Sequence, residues 1–348
     1  MKRPGAVFWV AFSGVLSISV VSWGAAVAAG QGRGTASGER RPATARPSSA
    51  ADAAEVHVLP VQGNVYMLVG GAGSNITLQA GDDGVLLVDA SLESLSDNVL
   101  KAIRSVSTNP IRYLIDTHAH ADHVGGNAAI AKQGATIAGG NMGQPYQGAA
   151  IIAHENVLKR MSAPTGEQAP FPTAAWPTDT YFANKKELFF NGEAIQILHQ
   201  PSAHTDGDSI VFFRRSDVLS AGDVFVTTTY PVIDLERGGT IQGVIAALNT
   251  ILDITIPRDK QEGGTYVIPG HGRLCDEADV LEYRDMLTII RDRIQDLVKK
   301  GATLEQVKAA RPTLDYDGRY GATSGPWTTG LFIEAVYRNL SAPKTKGR

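Results

Sequence analysis

The chain has 348 residues, 43% of them hydrophobic and 19% charged, with Lys+Arg 32 against Asp+Glu 35 and a formal net charge of −3. That is the balance of a globular protein, long enough for one large domain or two small ones. No basic run or stripe is present, so nucleic acid is not expected as a partner.

Residues 1–28 read as a signal peptide. Lys2 and Arg3 precede an apolar run from Ala6 to Val21, and Ala26-Val27-Ala28 supplies the small residues at which a signal peptidase cuts. The apolar run is long, so an uncleaved anchor stays open, and membrane association is expected only in that case. No cysteine lies nearby to carry a lipid. Both readings place the remainder outside the cytoplasm, periplasmic or secreted. Residues 29–54 are Gly, Ser, Ala, Arg and Pro with few large apolar side chains, and are expected to be a disordered linker. The single cysteine, Cys275, leaves no internal disulfide and is expected to pack as a small side chain rather than bind metal.

A folded domain is expected over residues 55–275, with a helical extension over 276–348 packed on it. The domain opens with strand-like runs, VHVLPV, VYMLVG, NITLQA and GVLLVDA, separated by glycine-rich turn signals. Leu95, Val99, Leu100 and Ile103 then recur at helical spacing. IRYLID is a short strand. Asn127 is expected to cap a short helix ending near Gly134. Residues 139–180 read as an excursion with at most one helix, near 147–161. Further on come the strands ELFFNG, AIQILHQ, DSIVFFRR and VLSAGDVF, a helix over Ile241 to Ile254, and the strand TYVIPG. In the extension, Val280, Leu287, Ile290, Ile294 and Leu297 form an apolar helical stripe, Gly301 stops it, and Thr303 with Gln306 forms a capping box for the next helix.

The chemistry concentrates in THAHADHVGGN, residues 117–127, which holds His118, His120, Asp122 and His123 just after a strand. Such side chains are costly to bury unless something pairs with them. Two imidazoles at i and i+2 of an extended loop share a face and can hold one cation, while Asp122 and His123 can begin a second site. The other strand ends offer His204 in SAHTDGDS, Asp223 in SAGDVF, and His271 in the glycine-flanked turn IPGHG. A carboxylate between two cations can bridge them.

HxHxDH, followed in order by His, Asp and His in these contexts, resembles the metallo-β-lactamase superfamily over roughly residues 56 to 275. The resemblance implies an α/β fold, a four-layer αββα sandwich with the site at one edge of the sheets. It implies one metal held by His118, His120 and His204, a second held by Asp122, His123 and His271, and Asp223 as the bridge, as in the glyoxalase II-like and lactonase-like branches. Asp89, ending GVLLVD, is similar to a superfamily aspartate that orients a metal histidine. His199 reads as a packed or solvent-edge histidine and His154 as a surface helix position.

Within the resemblance, His120 stands where di-iron oxygen-reducing members typically carry Glu, which favours zinc and hydrolysis. Val226 stands where some β-lactamases carry Lys and homoserine-lactone hydrolases carry Tyr. The expected function is an exported hydrolase with two Zn²⁺ per chain, iron or manganese being the other cations considered. A metal-bound hydroxide would attack an ester, lactone, thioester or amide carbonyl of a small molecule, with Asp122 as the catalytic carboxylate. β-Lactam hydrolysis and a non-catalytic metal-binding role stay open. Selectivity is expected from the excursion, with Tyr146, Phe171 and Trp176, and from Thr227 to Gly239, with Tyr230 and Arg237, or else from beneath the C-terminal helices near Trp327 and Phe332.

Overall fold

The computed structural model describes residues 55–71, 73–136, 148–162, 169–260 and 263–342. The signal-peptide and linker readings, 1–28 and 29–54, and Tyr146 lie outside these residues.

Two sheets form the centre. The first is seven-stranded, in the order β1 (His57–Gln62), β2 (Val65–Val69), β3 (Ile76–Gly81), β4 (Gly84–Val88), β5 (Ile111–Ile115), β6 (Ala150–His154) and β7 (Asp179–Tyr181). Its first four strands are antiparallel neighbours and its last four run parallel. The second is five-stranded, ordered β12 (Tyr266–Ile268), β11 (Val218–Ser220), β10 (Ser209–Phe213), β9 (Glu193–His199) and β8 (Lys185–Phe190).

Alternation along the strands assigns the layers, because successive side chains leave opposite faces. Leu86 and Val88 of β4 meet Ile195, Ile197, Val211 and Phe213 of the second sheet in one core between the sheets. Val85 and Leu87 face the other way, against Val99 and Ile103 of α1 (Ser96–Val106) and Ile130 of a short helix. Ile210 of β10 and Leu219 of β11 likewise turn outward onto α5 (Ile241–Ile254), α6 (Glu277–Lys299) and α9 (Thr329–Ser341). The result is helix, sheet, sheet, helix, with a C-terminal helical region sharing the core of the last layer. Among the described residues, no helix is long and apolar enough to cross a membrane.

The remaining helices are α2 (Ala121–Val124), α3 (Asn127–Lys132), α4 (Glu155–Met161), α7 (Leu304–Ala309) and α8 (Asp317–Tyr320). α5 spans the residues expected for it, and α7 carries the Thr303–Gln306 capping box. Cys275 is free and buried.

Three local expectations are corrected. The excursion holds two strands, β6 and β7, and its helix α4 begins only at Glu155. AIIAH is a short apolar run, and periodicity alone does not separate a buried strand from a helix turn. Asn127 does not cap α3: Gly126 stands at the cap, and the Asn127 amide donates inward to Asp116 Oδ2 (3.0 Å) and the Ala175 carbonyl (3.1 Å). His154 is not a surface position. It is buried at the end of β6, accepts at Nδ1 from the Asn156 N–H at the head of α4, and stacks on His199 with ring centroids 3.6 Å apart and planes 7° from parallel.

Candidate metal centre

Each residue singled out as a ligand sits just beyond a strand or on the turn that follows one. His118 and His120 lie between β5 and α2, Asp122 and His123 on α2, His204 after β9, Asp223 in the turn after β11, and His271 after β12. The structure brings all seven together. Three overlapping groups have ligand atoms within 4.8 Å of one another: His118, His120 and His204; His118, His123 and Asp223; and Asp122, His123 and His271.

Hydrogen bonds on the outer side of each imidazole decide what faces inward. The Thr117 hydroxyl donates its one hydrogen to Asp89 Oδ2 (2.9 Å), so it can only accept from His118 Nδ1 (3.0 Å). His204 Nδ1 meets the Val232 carbonyl at 2.7 Å, an acceptor only, and so carries the proton. His120 Nε2 donates to Asp234 Oδ2 at 3.0 Å, and His123 Nδ1 donates to Asp89 Oδ2 at 2.8 Å. In their neutral form the rings turn bare nitrogens inward: Nε2 of His118, Nδ1 of His120 and Nε2 of His204, while His123 aims its Nε2 at Asp223.

These bare nitrogens crowd one another. His204 Nε2 and His118 Nε2 stand 2.8 Å and 3.1 Å from His120 Nδ1. Two lone pairs face to face repel, and only a proton or a cation between them relieves the contact. Burial, reinforced by neighbouring His123 and His204, drives the His118 pKa well below its ordinary value, and burial takes His204 down to about 4. A proton is therefore the poorer solution, and neutral imidazole is the form that binds metal. His123 Nε2 and Asp223 Oδ1 are buried without a hydrogen-bond partner, 3.2 Å apart. The donor set thus fits cations on its inner face.

The second half is more acidic. Asp223 Oδ1 lies 3.2 Å from His123 Nε2 and 3.5 Å from His271 Nε2, while its Oδ2 lies 3.8 Å from His204 Nε2. It thus lies near side chains of both groups. Asp122 Oδ2 stands 3.2 Å from His271 Nε2. Burial alone would raise the Asp223 pKa, but the charge of His123, with those of His271 and His204, holds it well below the carboxylate range. Burial alone would lower His123, but Asp223 and Asp89 raise it well above its ordinary value. Loading a cation here displaces protons.

The backbone is shaped to the task. Asp89 adopts a left-handed φ of 66°, and its Oδ1 also accepts from the Thr117 N–H (2.8 Å). One carboxylate thus ties the end of β4 to both His118, through Thr117, and His123. Gly270 packs against Asp223 Oδ1 so closely that a Cβ would collide with it.

Two further residues matter here, Asp234 outside the motif and Thr117 at its start. Asp234 holds His120 and is itself held by Arg237, whose Nη1 donates to Asp234 Oδ2 (2.7 Å) and lies 3.4 Å from His120 Nε2. Thr117 was legible only as the motif's first residue. His154 and His199 are not part of the cluster. Of the loop aromatics, Tyr230 is 1% exposed and stacks on Phe332 at 4.6 Å, so it pins its loop to α9 instead of facing substrate. Phe171 and Trp176 pack on a small apolar cluster with Val157 and Met161. A cavity of about 250 Å³ opens over the centre, walled by Val226, Thr228, Thr229 and Val232.

The family model described as the metallo-beta-lactamase superfamily matches residues 69–271. The chain is 23% identical over 207 residues to the metallo-beta-lactamase type 2 of Bacillus sp. (strain 170), covering 59% of this chain and 68% of that one. It is 24% identical over 260 residues to the linear primary-alkylsulfatase of Pseudomonas sp. (strain ATCC 19151), covering 65% of this chain and 47% of that one. Among solved structures, a stereoselective inverting sec-alkylsulfatase from Pseudomonas sp. superposes with TM-score 0.56 at 16% identity, over 81% of this chain and 50% of that one. A metallo-beta-lactamase from Pontibacter korlensis superposes with TM-score 0.51 at 16% identity, over 67% of this chain and 99% of that one. The chain spans about half the length of the alkylsulfatases it matches. At these identities the structural likeness shows the fold.

Proposed function

The chain belongs to the metallo-β-lactamase superfamily, whose family model covers residues 69–271, and from that premise we propose that it is an exported hydrolase of small molecules that works with two cations, zinc first. His118, His120 and His204 would hold one cation, Asp122, His123 and His271 the other, and Asp223 both. The observation that carries this reading is the crowding of inward-facing bare nitrogens, 2.8 Å apart at His204 and His120. Zinc is favoured by the nitrogen-rich set. When bound, such cations polarise a carbonyl oxygen and lower the pKa of water enough to supply a nucleophile at neutral pH.

The chain's own residues then position and move protons. Asp122 is the most exposed carboxylate of the centre, its side chain 34% accessible. It would orient the attacking water and take its proton. Asp89 and Asp234 fix ring orientation and act through His123 and His120. Thr228 and Thr229 flank the cavity together with Val226 and Val232, and shape the space for an ester, lactone, thioester or amide.

β-Lactam hydrolysis is the second reading, supported by the names of the Bacillus relatives. Val226 offers no charge for the antibiotic's carboxylate, and the nearby Arg237 is already engaged by Asp234. Sulfate esters join the panel because of the alkylsulfatase relative. The test is metal analysis of the purified protein together with turnover of lactones, thioesters, aryl esters, β-lactams and alkyl sulfates, with and without chelator. Fewer than about one metal per chain after metal-replete expression sinks the reading. Bound metal without turnover of any class would leave a metal-binding protein that is not an enzyme.

A further inference from the structure

A second hollow lies beside the metal cavity. It has a volume of about 280 Å³ and runs between the 232–236 segment and α9, lined by Val232, Leu235, Trp327, Leu331 and Ala335. Val232 lines both hollows, and its carbonyl holds His204. Asp234, at the groove's inner wall, holds His120. The groove is therefore continuous with the wall of the centre.

Of its charged side chains, Glu334, Arg338 and Asp234 are paired, while Glu236 has no ion pair among the described residues. Glu334 accepts from Arg338 at Oε1 (2.7 Å) and from Lys308 at Oε2 (3.1 Å), and Asp234 is paired with Arg237. Apart from Glu236, the surface left over is apolar: Leu331 is 41% exposed, and Ala335 forms part of the floor. Trp327 adds an indole N–H that is buried and has no partner among the described residues. Such a groove suits an uncharged hydrocarbon chain and disfavours an anionic group, which Glu236 would repel.

We propose that this groove receives the aliphatic arm of the substrate, so that the preferred substrates carry a medium-length acyl or alkyl chain. The inference rests on the hydrolase reading and adds the substrate class to it. Each buried methylene is worth about fourfold in binding. An octanoyl chain should therefore be favoured over an acetyl group by well over tenfold.

The test uses the metal-loaded protein with p-nitrophenyl acetate and p-nitrophenyl octanoate, and, independently of turnover, calorimetric titration with octanol. Ala335→Trp fills the groove and Leu331→Glu places an unpaired charge on its lip. Wild type should prefer the octanoate at least tenfold in kcat/KM. Both variants should lose most of that preference through KM, keep acetate hydrolysis and metal content, and bind octanol at least tenfold more weakly. Turnover with the same chain-length profile in wild type and both variants overturns the groove and leaves the hydrolase reading standing. Octanol binding that both variants weaken, with no turnover of either ester, supports the groove and counts against ester hydrolysis. Octanol binding unchanged in both variants overturns the groove whatever the turnover.

Discussion

Asp234 does for His120 what Asp89 does for His123: a carboxylate takes the outer N–H, fixes the tautomer and aims the other nitrogen inward. Partners of this kind typically set metal affinity by tenfold to a hundredfold. Asp234→Ala should therefore weaken zinc binding by about that factor, read by competition with a chromogenic chelator, while circular dichroism stays that of the wild type. Unchanged affinity would assign the Asp234–His120 contact to loop packing alone. Asp122→Asn belongs to the same scale. It keeps the shape of the side chain and removes its charge, so kcat should fall by about a hundredfold or more while KM moves little. An equal loss appearing only in KM would move Asp122 from proton handling to substrate binding.

At the scale of elements, the 227–239 loop divides its work: Thr228 and Thr229 line the cavity, and Tyr230 holds the loop to α9. Tyr230 packs flat against Phe332 and bonds through its hydroxyl to the Thr313 carbonyl (3.2 Å) and Asp317 (3.0 Å). Tyr230→Ala should cost about 3–5 kcal/mol by opening a cavity in a buried aromatic cluster. Denaturant melts check this, and a loss below about 1 kcal/mol would mean that the loop closes over the gap. The β6–α4 junction makes a pH-dependent contribution. Burial, with the stacked His199, lowers the His154 pKa from 6.5 to about 4. The unfolded chain therefore takes this proton near 6.5, while the folded chain resists until about 4. Stability from this residue is complete above the unfolded value and is lost as pH falls through that window. In metal-free protein, His154→Asn keeps a helix-capping side chain and removes the titration. Its melting temperature should fall less than the wild type's between pH 7 and pH 5, and parallel curves would remove His154 from the account.

At the scale of the whole molecule, the centre joins six separate stretches of chain, from Asp89 to His271, those at strand ends drawn from both sheets. A cation that binds only this assembled set stabilises the fold by mass action, about 2.7 kcal/mol at a hundredfold excess over Kd. Chelation should therefore lower the melting temperature by roughly 5 °C or more, reversibly on adding zinc. No shift would mean that the layers alone hold the ligand loops in place. The same architecture explains why the groove beside α9 can influence the centre: the segment carrying Asp234 has His120 on one side and the C-terminal helices on the other.

The sequence by itself determined the candidate ligand types, their order and their places at strand ends, because a motif such as HxHxDH and the alternation of buried strands are local properties. It also determined α5, the apolar face of α6 and the capping box of α7, for the same reason. Only the tertiary structure decided which outer partner each histidine has. His120 and Asp234 are 114 positions apart and His204 and His120 are 84 apart, and no spacing rule links them. It likewise decided that His154 stacks on His199, that Asn127 turns inward and that Tyr230 faces α9. Each of these is settled by which surface the folded layers bring against the side chain, and a polar or aromatic residue on a loop carries no periodicity that announces it.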